Sequence, residues 1–137
     1  MIVLWTAVAA QAGSGKVVKV LPHHLDQQGR HTLSPSLYER DVYQAYLRKH
    51  PAEISTLRFD VQWRGSGGGL KLRVEARGRK SGEPLVLEQA VKAGVFSRWS
   101  EVALSKEQYQ QLGEVTAWRV TLWEDGQQLA ESKSFLW

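Results

Sequence analysis

Val115-Thr-Ala-Trp-Arg-Val-Thr-Leu-Trp123, Glu124-Asp-Gly126 and Gln127-Gln-Leu-Ala-Glu-Ser-Lys-Ser-Phe-Leu-Trp137 read as strand, tight turn and strand. Trp118, Val120 and Leu122 alternate with Ala117, Arg119 and Thr121, the period of two expected when one face of a strand is buried. Asp125-Gly126 marks the turn, because glycine accepts the positive φ that most hairpin turns require. A type I turn closing into a glycine bulge sets Arg119 opposite Glu131 and Trp118 opposite Ser132. An ion pair and a large residue facing a small one both favour that register.

Upstream the same signal repeats. Leu57, Phe59, Val61 and Trp63 alternate with Arg58, Asp60 and Gln62, and Gly65-Ser-Gly-Gly-Gly69 turns the chain. Leu70, Leu72, Val74 and Ala76 then alternate with Lys71, Arg73, Glu75 and Arg77, and Arg79-Lys-Ser-Gly82 turns it again. Strands follow at 85–91 and at 98–104, the latter with Val102 and Leu104 on its inner face. Ser105 caps a helical turn over 106–112. A short strand at 16–21, stopped by Pro22, brings the count to seven with the terminal hairpin. Turn signals every ten or so residues point to a two-sheet sandwich.

One helix interrupts this pattern between the first and second strands. Ser34-Pro35-Ser36 and Glu39 supply a proline in the first turn and a capping box, and Pro51 stops the helix near His50. Tyr38, Val42, Tyr43, Ala45, Tyr46 and Leu47 share one broad arc and are expected to pack across the sandwich, with Arg40, Asp41, Gln44 and Arg48 outward.

Leu112, Thr116, Trp118, Val120 and Leu122 have the spacing of the penultimate strand of fibronectin type III and related immunoglobulin-like sandwiches, and the chain resembles that family over about eleven residues. Trp118 stands where the family usually has Tyr, no Pro follows Leu112, and the helix after the first strand is an addition. The resemblance implies a seven-stranded immunoglobulin-like β-sandwich. It implies no function, since such domains host many.

Composition bounds the remainder. A chain of 137 residues suits one domain with a real core, and a net charge of +4 is mildly basic. No cysteine is present, which removes disulfides, thiolate metal sites and a Cys nucleophile. Residues 1–12 form an apolar run ending in Ala10-Gln11-Ala12, a small-x-small cleavage pattern, and read as a truncated signal peptide lacking its basic start. The run is shorter than the roughly 20 residues of a membrane span. Residues 13–137 then form the mature domain, with a periplasmic or secreted address.

Chemistry-bearing motifs are few. Gly13-Ser-Gly15-Lys16 imitates a phosphate-binding loop, but Ala10 and Val17 stand where its first glycine and its hydroxyl belong, and a strand follows where a helix is needed. His23, His24, Asp26 and His31 have metal-ligand side chains, yet adjacent histidines on an extended chain point opposite ways, so they read as a solvated loop. His50 complements a helix C-terminus. No nucleophile-elbow or zinc-protease motif occurs.

Two surfaces remain. Arg58, Lys71, Arg73 and Arg77 would share one sheet face if the strands at 57–63 and 70–77 form a hairpin, and such a face attracts acidic glycans, lipid headgroups or acidic proteins. Trp99, Trp123 and Trp137 are out of phase with the core or terminal, and an exposed indole offers a flat face to a sugar ring or a partner side chain. The expectation is a non-catalytic exported binding or structural module, monomeric, needing no cofactor or metal. A carbohydrate-binding module using the tryptophans is the alternative, and an enzyme or enzyme inhibitor comes third. The partner would be a protein or an acidic or neutral polysaccharide. Nucleic acid is disfavoured, because the basic strip lacks interleaved aromatics.

Overall fold

The computed structural model describes residues 13–137, so the leader read at 1–12 lies outside the described residues. Seven strands form two antiparallel sheets, with a helix between the first and second strands. In chain order they are β1 (Gly15–Asp26), α1 (Leu37–Lys49), a 3-10 turn (Pro51–Glu53), β2 (Ile54–Gly65), β3 (Leu70–Gly78), β4 (Ser81–Ala90), β5 (Arg98–Ala103), α2 (Lys106–Leu112), β6 (Val115–Glu124) and β7 (Gln127–Lys133). One sheet has the order β1-β2-β5 and the other β4-β3-β6-β7.

The alternating pattern supplies the inner faces. Leu57, Phe59, Val61 and Trp63 of β2 pack with Leu70, Leu72, Val74 and Ala76 of β3, Val120 and Leu122 of β6, and Val102 of β5. Burying such side chains drives the two sheets together, each contributing about 1.5–3 kcal/mol. The buried Trp63 indole is satisfied by donating Nε1–H to Ser100 Oγ at 2.9 Å.

Four expectations are corrected. The strands at 57–63 and 70–77 do not form a hairpin: β2 pairs with β1 and β5, and β3 with β4 and β6. The Gly-rich link carries the chain from one sheet to the other, using left-handed backbone at Gly67 (φ 117) and Gly69 (φ 63). Likewise β1 does not stop at Pro22 but runs on to Asp26, so His23 and His24 lie on a strand. As an edge strand it tolerates a missing N–H on the side turned away from β2.

The terminal hairpin is shifted by two residues. Val120 faces Ser132, Thr121 faces Glu131 and Arg119 faces Lys133, with the irregularity between Leu122 and Trp123. The two-residue turn is closed by Glu124 and Gln127, and its positive φ falls on Asp125 (48°). A two-residue slip keeps every side chain on its face. Arg119 therefore still meets Glu131, diagonally, at 2.8 Å. Trp118 has Ser134 as its small neighbour, with Trp118 N–H donating to Ser134 Oγ at 2.9 Å.

The helix is rolled relative to its expected arc. Leu47 and Gln44 are its buried residues, whereas Tyr38, Val42 and Tyr46 are exposed. Gln44 decides the roll. Its Oε1 accepts from His24 N–H at 2.7 Å, and its Nε2 donates to the His24 and His31 carbonyls at 2.9 and 2.8 Å. These bonds dock α1 on the free edge of β1 through a polar side chain, which leaves Tyr38, Val42 and Tyr46 of the apolar arc facing water while Leu47 stays buried.

Candidate functional site

A groove of about 600 Å³ lies beside α1. Its floor is built by a polar anchor. Tyr43 Oη donates to Asp26 Oδ2 at 2.6 Å, and Arg30 donates to the same carboxylate from Nε at 2.9 Å and from its backbone N–H at 2.8 Å. Burial works against ionisation of Asp26, yet the bonds from Tyr43, Arg30 and Gln28 hold its carboxyl below the ordinary value. Burial and the bond to Asp26 push the Tyr43 phenol up to about 12. On this floor stand the apolar walls, Leu33, Tyr38, Val42 and Tyr46, with Arg30, Glu39 and Glu53 at the rim. Tyr38 is 78% exposed and Val42 52%. Tyr46 donates its hydroxyl to Glu53 Oε2 and stacks on His50, 4.1 Å between ring centroids. The bond to Glu53 raises the Tyr46 pKa.

The outer face of the four-stranded sheet gathers most of the residues singled out from the sequence. Lys71, Arg73 and Arg77 of β3 stand opposite Trp123, Thr121 and Ala117 of β6. The Arg73 guanidinium lies over the Trp123 ring, 4.4 Å from its centroid, and Trp123 Nε1–H donates to Thr121 Oγ1 at 2.7 Å. Arg77 covers Trp137 in the same way at 4.2 Å. Glu88 of β4 takes Lys71 at 2.8 Å and Arg73 at 3.1 Å, and these bonds hold its carboxyl below the ordinary value. Three of the four cations and two of the three indoles are thus brought together, each indole capped on one face by an arginine.

Arg58 and Trp99 are on the other sheet. Trp99 of β5 is 53% exposed, opposite Gln62. Arg58 is mostly buried and grips Asp60 through Nε and Nη2 at 2.8 and 3.0 Å. His23 shares a hydrogen bond with Asp60 through Nδ1, and the His31 ring lies 5.0 Å from that of His23. Burial opposes the charge on Asp60, but His23 and Arg58 hold its carboxyl below the ordinary value. This ion network is internally satisfied. The histidines read as a solvated loop are therefore structural: His23 binds Asp60, while His24 points the other way, beside Leu57, Tyr109 and Trp118. Among the described residues no three His, Asp or Glu side chains converge as a metal ion would require.

The α1 groove is not legible in the sequence, because the periodicity turns Tyr38, Val42, Tyr43 and Tyr46 inward and Gln44 outward, and the partners that bury Gln44 exist only once β1 is in place.

No family model, curated protein or solved structure matches the chain.

Proposed function

We propose that the chain is a non-catalytic binding module on an immunoglobulin-like sandwich, and that it holds a protein partner against the outward face of α1. The strand order supports the architecture: labelling β1 to β7 as A, B, C, C′, E, F and G gives A-B-E against C′-C-F-G. Thr116 and Trp118 then open the F strand, with Leu112 buried at the end of α2 just before it and the Thr116 hydroxyl bonded to the Arg77 carbonyl at 3.4 Å, the spacing of the resemblance. The address proposed is periplasmic or secreted, on the reading of residues 1–12 as a leader. No helix among the described residues is long and apolar enough to cross a membrane.

The observation that carries the reading is the exposed row Leu33, Tyr38, Val42 and Tyr46 beside a groove of about 600 Å³. Contiguous apolar surface of this kind marks interaction sites, and aromatic side chains are the usual anchors. The Asp26, Tyr43 and Arg30 bonds hold the groove in shape beforehand, which lowers the ordering cost of binding. A photo-crosslinking residue at Val42 should capture a defined partner in the native host. The variant Tyr38→Ser/Val42→Ser should lose it with an unchanged melting curve, and undiminished capture would sink the reading.

Sugar binding is the second reading, and it rests on Trp99, the one indole of the three candidates without an arginine on its ring. Titration with soluble polysaccharides, repeated on Trp99→Ala, tests it.

A further inference from the structure

The end of the sandwich opposite α1 collects the start of β1, the 65–69 link, the 125–126 turn and the 91–97 loop. From its geometry we infer that this end docks reversibly on an anionic phospholipid surface. The inference is independent of the partner groove, which lies at the other end.

The 91–97 loop presents two consecutive apolar side chains almost wholly to water, Val95 at 93% exposure and Phe96 at 83%. The loop is held on both sides of this tip. Val91 N–H donates to the Leu70 carbonyl at 3.0 Å, and Val91 and Ala93 pack on the core. Gln62 Nε2 donates to Ser97 Oγ at 3.2 Å, and the Arg98 side chain lies so close to Gly94 that a Cβ there would fall 2.6 Å from its Nε. The apolar pair is thus projected by an anchored loop.

Cations flank it. Lys92 and Arg98 flank the tip in sequence, and Lys16 and Arg64 line a cleft of about 580 Å³ whose far wall is Gly94 and Val95. All four are exposed, and none pairs with an acid among the described residues. On the sheet faces, by contrast, Arg58, Lys71, Arg73 and Arg119 are all paired. The carboxylates at this end are Glu124 and Asp125 at the β6–β7 turn, and Glu124 already accepts the Gly13 N–H at 2.9 Å.

An apolar pair flanked by cations matches the two layers of a bilayer surface. Valine and phenylalanine enter the boundary between headgroups and acyl chains, while lysine and arginine stay level with the phosphates. The cleft between Lys16, Arg64 and Gly94 has room for one headgroup phosphate. Two side chains give weak insertion alone, and each cation near an anionic leaflet strengthens binding about fivefold. The contact is therefore reversible and sensitive to salt.

Flotation of the full chain with vesicles tests this, comparing phosphatidylcholine alone with phosphatidylcholine mixed with phosphatidylglycerol. The chain should bind the mixed vesicles, bind the neutral ones far less, and release in high salt. Val95→Ser/Phe96→Ser should weaken binding about tenfold or more, and Arg64→Gln/Lys92→Gln about 25-fold, with melting curves unchanged. Tyr38→Ser/Val42→Ser should bind like the wild type. Equal binding by all variants would assign the lipid contact to residues 1–12 or another face and overturn the inference. Absence of binding to either vesicle would do the same, as would displacement by millimolar inorganic phosphate at fixed ionic strength, which would mark a free-phosphate site.

Discussion

The Trp118 indole meets the Phe59 ring edge to face, with centroids 6.2 Å apart, and so joins β6 of one sheet to β2 of the other. Phe59 is fully buried, while Trp118 is half-buried at the margin of the core. Trp118→Ala should therefore cost about 3 kcal/mol, the lower part of the range for aromatic truncations. Trp123 lies on the outer face against Arg73, where a partly exposed cation–π contact contributes about 0.5–1 kcal/mol. Denaturant midpoints of Trp118→Ala and Trp123→Ala should differ accordingly. Equal losses would place both rings in the core.

The roll of α1 reverses which of its residues matter for stability. The periodicity places Tyr46 in the core, but its ring is exposed and meets Glu53, His50 and the neighbouring Tyr43 ring, 6.0 Å away between centroids. Tyr46→Ala should cost less than about 1 kcal/mol, as surface changes do. Leu47→Ala should cost about 2–4 kcal/mol, because Leu47 is fully buried. Gln44→Ala should cost about 1–3 kcal/mol, since it strands the His24 N–H and two carbonyls. Chemical denaturation of the three variants gives the order, and a Tyr46 loss matching that of Leu47 would contradict the observed packing.

Acid should destabilise the protein in two stages. The folded pKa values of His24 and His31 are lowered, His24 by burial and then by Arg48 and His23, with Glu114 opposing. Those of Asp26 and Asp60 are lowered by their hydrogen bonds despite burial. For all four groups the unfolded chain takes up protons first as pH falls, so stability falls with pH. The histidine share is complete above pH 6.5 and is lost as pH drops through the lower folded values. The carboxylate share is complete above pH 3.8 and is lost below it. Both ring nitrogens of His24 are enclosed without a partner. His24→Leu should therefore raise stability near pH 5 by about 1 kcal/mol and flatten the slope just below pH 6.5. Denaturant midpoints between pH 3 and pH 8 provide the measurement.

Much of the local grammar was legible. Period-two alternation locates the strands, and Val102 and Leu104 are buried as expected; Ser36 and Ser105 both cap their helices, but the reciprocal box forms only at Ser105 with Gln108, since Ser36 N–H donates to Ser34 Oγ rather than to Glu39 and Pro35 lies before the helix. Choices between long-range alternatives were not. Whether 65–69 closes a hairpin or crosses between sheets depends on the pairing of β2 with β1 and β5, strands distant from it in sequence. The roll of α1 depends on hydrogen bonds Gln44 can make only with β1 already formed. The cationic and tryptophan surfaces were read separately, and the β3–β6 register sets Arg73 over Trp123.

The two glycines that bracket this difficulty differ in kind. The sequence marks Gly126 as the turn residue, yet its φ is not in the left-handed region, and a Cβ there would meet nothing within 4 Å. Gly78 carried no sequence signal, but a Cβ on it would collide with the Leu112 carbonyl and side chain where the end of α2 crosses β3. That contact is fixed by the Lys80 N–H bond to Leu112 O at 3.0 Å, so backbone relief is blocked. Gly126→Ala should change stability by less than about 0.5 kcal/mol, within the usual range of surface substitutions. Gly78→Ala should cost more than about 2 kcal/mol, as overpacking against backbone does. Thermal melts of both variants decide it. A large loss at Gly126 would return the left-handed turn position to that glycine, and a neutral Gly78 would mean that α2 can lift away from β3.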